Sequence, residues 1–179
     1  MNYDAFSHGQ IASKLWLCEK LEPYLSHTDN LVILGSWYNV LGFMLQVRNP
    51  GKCESIQGID IDFAAVEIAR KICDAWPEIT NTRADANTGP PYEAEVVINC
   101  SPEHMSGSQW FAKIKPGTVV CIQSSNMTDP CEPWLIKTPH PTLDDFKSRY
   151  PLTTVKYCDA MRVQYNAWGY DRYMIIGVK

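Results

Sequence analysis

No apolar stretch in this chain approaches the roughly 20 residues a helix needs to cross a bilayer; the runs around Leu31 to Leu34 and Val40 to Leu45 are short. A soluble protein is expected. No leader of the secretory type is expected either, because MNYDAFSHGQ carries an acid at Asp4, no basic cluster and no apolar core before Ile11. Excess positive charge is absent: 16 Lys and Arg stand against 20 Asp and Glu, a net charge of -4. Duplex DNA or an anionic membrane would therefore need a local basic patch. Cysteine pairing is absent as well. The seven cysteines are an odd number without a CxxC pair, which points to reduced thiols in cytoplasm. Cys121, Cys131 and His140 are zinc-ligand types but lack ligand-pair spacing, so buried or surface thiols are the preferred reading. Repeats, low-complexity tracts and long linkers are lacking, and 179 residues suit one domain over 1–179.

What is present is an ordinary globular composition, 45% hydrophobic and 20% charged, sufficient for a sizeable core. Ile11, Leu15, Cys18, Leu21 and Leu25 recur at helical spacing until Pro23 ends or bends the helix. LVIL at 31–34 reads as a strand, Gly35 as a turn and 40–47 as a helix. SIQGIDID from Ser55 gives a second strand. Asp62 then caps a helix carrying Val66, Ala69, Ile72 and Cys73, which Pro77 stops. TNTRAD is a third strand ending at Asp85, followed by a loop at GPP rather than a helix. AEVVIN from Ala94 and TVVCIQ from Thr118 are continuous apolar strands suited to a sheet covered on both faces. Thr142 with Asp145 opens a short helix to Tyr150. TTVKYCDAMRV and RYMIIGV form a terminal antiparallel hairpin, and the Pro-rich piece 129–141 is a surface excursion. The fold class is α/β: a three-layer sandwich around a mostly parallel sheet with a C-terminal antiparallel hairpin.

Ligands of such sheets bind beyond the carboxyl ends of the strands. LGSWYNVLG at 34–42 offers Gly35 for a sharp turn and helix amides for an anionic group, although an ordinary aromatic turn explains it equally well. With only Gly35 and Gly42 it is not a GxGxxG fingerprint, which disfavours a nicotinamide-dependent dehydrogenase. Asp60, with Ile61 beside it, ends the second strand about 25 residues after Gly35, where a carboxylate can accept from both hydroxyls of a ribose. This is the strongest single signal. Asp85 can accept from the exocyclic amine of a purine, with small Ala86 leaving room for the ring, or it is a solvated turn residue.

The ordered segments LGS, GIDID, RADAN and INCSPEHM resemble those of class I S-adenosylmethionine-dependent methyltransferases, and the GxWY loop is similar to that of small phage-encoded members. The resemblance implies a seven-stranded sheet whose last strand is antiparallel. It assigns Gly35, Ser36, Trp37 and Tyr38 to the methionine end of the cofactor, Asp60 to the ribose and Asp85 to the adenine. The loop departs from the family, which has an acid before a GxGxG-like run. The cluster NCSPEHM at 99–105 departs from the NPPY-type signature, which leaves the acceptor open. In it, Asn99 can orient the methionine amino group or the acceptor, and His104 can accept a proton, with Glu103 as the alternative base. Cys100 is read as a core or edge thiol.

Methyl transfer from S-adenosylmethionine is the leading reading, to a small-molecule, nucleotide or protein acceptor. Transfer of the aminocarboxypropyl arm and a noncatalytic nucleotide-binding or assembly module are the alternatives. Trp134, Tyr165, Trp168 and Tyr170, near Arg162 and Arg172, can stack on nucleic-acid bases, though hairpin packing explains them better.

Overall fold

The computed structural model describes residues 2–127 and 135–179. Among these, seven strands form one mixed sheet in the order β3-β2-β1-β4-β5-β7-β6. Strands β1 (Asn30–Leu34), β2 (Ser55–Asp60), β3 (Ile79–Arg83), β4 (Val96–Asn99) and β5 (Val119–Ser125) run parallel, and β7 (Gly169–Val178) lies antiparallel between β5 and β6 (Thr154–Gln164). The order reverses between β1 and β4, where chain runs outward in both directions and a crevice opens beyond the strand ends.

The continuous apolar character of β1 and β4 follows from burial on both faces. Leu31 and Ile33 point to the layer formed by α1 (His8–Leu21), α2 (Val40–Arg48) and α3 (Phe63–Ile72). Val32 and Leu34 point to the opposite layer, where Trp110 and Phe111 of α4 (Gln109–Ala112) meet Phe146 of α5 (Leu143–Arg149) and Tyr150. This alternation makes the three layers.

Local chemistry fixes the ends of the elements. Pro23 lies in a 3-10 turn at Glu22–Tyr24, so α1 stops at Leu21 instead of running to Leu25. Asp62 caps α3 by accepting from the amides of Ala64 and Ala65 at 2.8 and 3.4 Å. Thr142 caps α5 through Asp145 N at 3.1 Å and donates its hydroxyl to the Asp145 carboxylate at 2.6 Å. β3 ends at Arg83, two residues before Asp85. No helix fills the passage from β3 to β4, as the GPP segment predicts; α4 is a short helix that the sequence pattern does not reveal.

The excursion expected at 129–141 is corrected in its second part, since His140 is 1% exposed and packs on Phe146 and Tyr150. Residues 128–134, including Cys131 and Trp134, lie outside the described residues. Cys121 and His140 belong to opposite layers of the sheet, so they share no zinc site. The six described cysteines are free. Among the described residues no helix is long and apolar enough to cross a membrane.

Candidate active site

A crevice of about 230 Å³ opens at the carboxyl ends of β1, β2, β3 and β4. One wall carries Gly35, Asp60 and Ile61; the other carries Asp85, Ala86 and Asn87. Ser101, His104 and Met105, from the segment after β4, cover the third side.

The turn after β1 is tied to β2. Ser36 N donates to Ile59 O at 3.0 Å, and Gly35 adopts φ +59°. A Cβ on Gly35 would run into Ser101 Oγ and Met105 Cε, so this position needs glycine for conformation and for space. Trp37 and Asn39 also take positive φ. Asn39 tolerates this as the cap of α2, accepting from Gly42 N at 3.2 Å, and its amide donates to Asn81 Oδ1 on β3 at 2.9 Å. Gly58 makes room for that buried pair, since a Cβ there would lie 2.6 Å from Asn39 Nδ2.

Asp60 is held by two backbone amides. Trp37 N donates to Oδ2 at 2.7 Å, and Asp62 N donates to Oδ1 at 2.9 Å. A carboxylate offers about four lone-pair directions, so each oxygen keeps acceptor capacity toward the crevice. Asp85 is arranged similarly: Asn87 N donates to its Oδ1 at 2.8 Å. Asn87 itself accepts from Trp110 N at 3.1 Å, which ties this loop to the start of α4.

The segment after β4 is built from beneath. Asn99, wholly buried, accepts from Ser101 N at 3.0 Å and donates to Met105 Sδ at 3.4 Å. Ser101 Oγ donates to Gly35 O at 3.2 Å. His104 is exposed, and its Nδ1 lies 2.9 Å from Leu135 O. A carbonyl can only accept, so Nδ1 carries a proton and Nε2 is the ring nitrogen left for another partner.

Of the residues singled out from the sequence, Gly35, Asp60, Ile61, Asp85, Ala86 and His104 meet at the crevice. The others lie elsewhere. Ser36 serves the turn through its backbone. Trp37 and Tyr38 turn their rings, 4.8 Å apart, against a cluster with Ala5, Val40 and Ala65, and the Tyr38 hydroxyl accepts from Asn2 N. They do not plug the crevice. Asn99 spends its amide under the loop. Glu103 is 2% exposed and pairs with Arg172, so the structure corrects its placement as a base facing the acceptor. Cys100 is half-buried, and burial pushes its thiol up to about 11.

Burial likewise lowers the Lys14 ammonium on α1 to about 8, with nearby Arg172 adding to the effect. The aromatics of the terminal hairpin stack among themselves: Tyr165 and Trp168 have ring centroids 4.5 Å apart, and Trp168 and Tyr170 6.1 Å. Arg162 is engaged by Asp171 at 3.1 Å and Arg172 is buried, so neither offers a free cation beside that stack. Asn87, Ser101 and Met105 also line the crevice, and none of them carries an individual signal in the sequence. The available signal was their place within the RADAN and NCSPEHM segments after two strands.

No family model matches the sequence, and no curated protein matches it. Solved structures do resemble it. YcgJ from Bacillus subtilis is 9% identical with TM-score 0.71, over 94% of this chain and 98% of that one. The N-methyltransferase NodS from Bradyrhizobium japonicum WM9 is 12% identical with TM-score 0.71, over 95% and 97%. A geranyl diphosphate methyltransferase, solved with geranyl diphosphate and sinefungin, is 11% identical with TM-score 0.70, over 94% and 77%. Together with the strand order, these likenesses define the fold as the Rossmann-like methyltransferase type.

Proposed function

We propose that this chain is a one-domain, S-adenosylmethionine-dependent methyltransferase of the small, phage-encoded kind, acting on a small-molecule, nucleotide or protein acceptor. The observation that carries this reading is Asp60: a carboxylate at the end of β2, fixed by two amides and facing a crevice it shares with Asp85 and Gly35. The residues present fit an adenosyl cofactor. Asp60 takes the ribose hydroxyls, and Asp85 accepts from the exocyclic amine beside Ala86. Ile61, 63% exposed, offers apolar surface to the purine. The turn at Gly35 and Ser36 meets the methionine end through its backbone.

When bound, S-adenosylmethionine supplies an electrophilic methyl group on a sulfonium. The protein's task is then to align an acceptor with that methyl and to remove a proton where the acceptor has one. His104 Nε2 is the proton acceptor. Asn99 and Glu103 act beneath the surface by holding the segment that carries His104. Six free thiols among the described residues fit a reducing, cytoplasmic setting, and the net charge of -4 favours acceptors other than nucleic acid.

Calorimetric titration with S-adenosylhomocysteine tests the first half of the reading; folded chain that takes up no millimolar ligand overturns it. Product analysis with S-adenosylmethionine and a panel of small molecules, nucleotides and proteins tests the second. Formation of S-adenosylhomocysteine supports methylation, and methylthioadenosine would instead mark aminocarboxypropyl transfer. Binding without turnover across the panel favours a noncatalytic module.

A further inference from the structure

The passage from β3 to β4 forms one wall of the crevice without a helix of its own, so something else must hold its backbone. That holder is the C-terminal end of α4. Lys113 Nζ donates to Ala86 O at 2.8 Å and also to Thr88 O, and it lies 4.7 Å from the centroid of the Tyr92 ring. The Tyr92 hydroxyl donates to the same Ala86 oxygen.

Ala86 C=O and Asn87 N–H belong to one peptide unit. Its oxygen faces the Lys113 ammonium, and its N–H points at Asp85 Oδ1, 2.8 Å away. The peptide dipole therefore lies between a cation and an anion in the favourable sense, and hydrogen bonds in such a chain strengthen one another. With Oδ1 committed to this bond, rotation of the Asp85 carboxylate is restricted and Oδ2 is left for a ligand.

We infer that Lys113 is a positioning residue that acts through the Ala86–Asn87 peptide to aim Asp85 at the six-position of a purine, and so selects an amino purine over an oxo purine. The inference rests on the adenosyl reading of the crevice given above. An ionised carboxylate accepts from a 6-amino group, whereas a 6-oxo group brings a second acceptor against it. A carboxylate held in one orientation enforces that difference better than one free to turn away. Burial lowers the Lys113 ammonium and the proximity of Asp85 opposes this shift, which agrees with the two charges sensing each other across the peptide.

The test compares S-adenosylhomocysteine with its 6-oxo counterpart, S-inosylhomocysteine, by calorimetry on the full chain. Lys113→Met keeps the length of the stem and its contact with Tyr92. It is expected to weaken the amino ligand by about ten-fold, the low end for a hydrogen bond to a charged group, while barely changing the oxo ligand. Lys113→Arg, whose fork can span both carbonyls, restores the preference. Tyr92→Phe shifts it in the same direction by less, and it serves as the second variant if Lys113→Met does not fold by circular dichroism. Equal losses for both ligands would reduce Lys113 to a general brace and overturn the inference, as would an unchanged preference. If the unmodified chain binds neither ligand, the adenosyl reading fails first and takes this inference with it, a result distinct from the other two.

Discussion

Glu103 Oε1 and Arg172 Nη1 stand 3.4 Å apart in the interior, both side chains more than nine-tenths removed from solvent. Arg172 Nη2 also donates to Cys100 O at 2.8 Å, so one guanidinium from β7 grips both ends of the turn that carries Ser101. The other carboxylate oxygen accepts from Ser124 Oγ at 3.2 Å. Ser124 Oγ in turn accepts from His140 Nδ1 at 2.7 Å, and His140 Nε2 accepts from the Tyr150 hydroxyl at 3.4 Å. With the serine proton committed to Glu103, this order requires a neutral His140 protonated on Nδ1. The chain of bonds links β7, β5 and the residues after 135 to the segment beside the crevice.

Removing one member of that ion pair leaves a buried charge without its partner. Glu103→Gln is expected to destabilise the fold by about 3–5 kcal/mol, the usual cost of breaking such a pair from one side. Urea denaturation measures it, and Glu103→Gln with Arg172→Met should recover a large part of the loss. A single variant with wild-type stability would contradict the pairing.

Asp60 and Asp62 lie two residues apart but have different tasks. Asp60→Ala should weaken S-adenosylhomocysteine binding by about 1.5–3 kcal/mol, the range for hydrogen bonds to a charged group. Asp62→Ala removes a helix cap and should cost about 1 kcal/mol of stability, leaving affinity near its original value. Titration calorimetry and denaturation on both variants separate the roles; similar affinity losses would refute the division.

Gly35→Ala places a methyl where Ser101 and Met105 already stand, on a backbone with positive φ. The conformational part alone costs about 1–2 kcal/mol. We expect lower thermal stability and weaker ligand binding, with partial recovery in Gly35→Ala/Ser101→Gly. No change in melting temperature or affinity would exclude this tight contact.

His140 makes stability pH-dependent. Burial, followed by the positive charge of Arg149, lowers its folded pKa from 6.5 to about 4, with Asp145 opposing. Between those values the unfolded chain binds the proton and the folded chain does not, so stability falls as pH drops from about 6.5 toward 4. The full span is on the order of 3 kcal/mol. His140→Gln should flatten this part of a plot of unfolding free energy against pH; an equally steep plot would assign the dependence to other groups.

The sheet was legible because each buried strand is a short apolar run closed by a turn signal: LVIL before Gly35, AEVVIN before CSP, and the terminal hairpin. The placement of Asp60 and Asp85 was legible for the same reason, since a strand's end fixes where the next side chain emerges. Helix α4 was not, because four residues span barely one turn and show no period. Trp37 and Tyr38 stand in a turn of exceptional backbone conformation, where sequence distance from the crevice says little about the direction of a ring.

By itself the sequence determined the layered α/β architecture, the crevice at the strand ends and the carboxylates that face it. These follow from local periodicity, from turn residues and from the rule that parallel strands present their carboxyl ends together. Only the tertiary structure decided that Glu103 turns inward, because its partner Arg172 lies 69 residues away and a buried charge goes where a counter-charge can meet it. The same holds for Lys113, which reaches Ala86 across 27 residues. Which peptide it grips depends on how the helix-free loop folds back over α4, a choice made by packing and not by any local pattern.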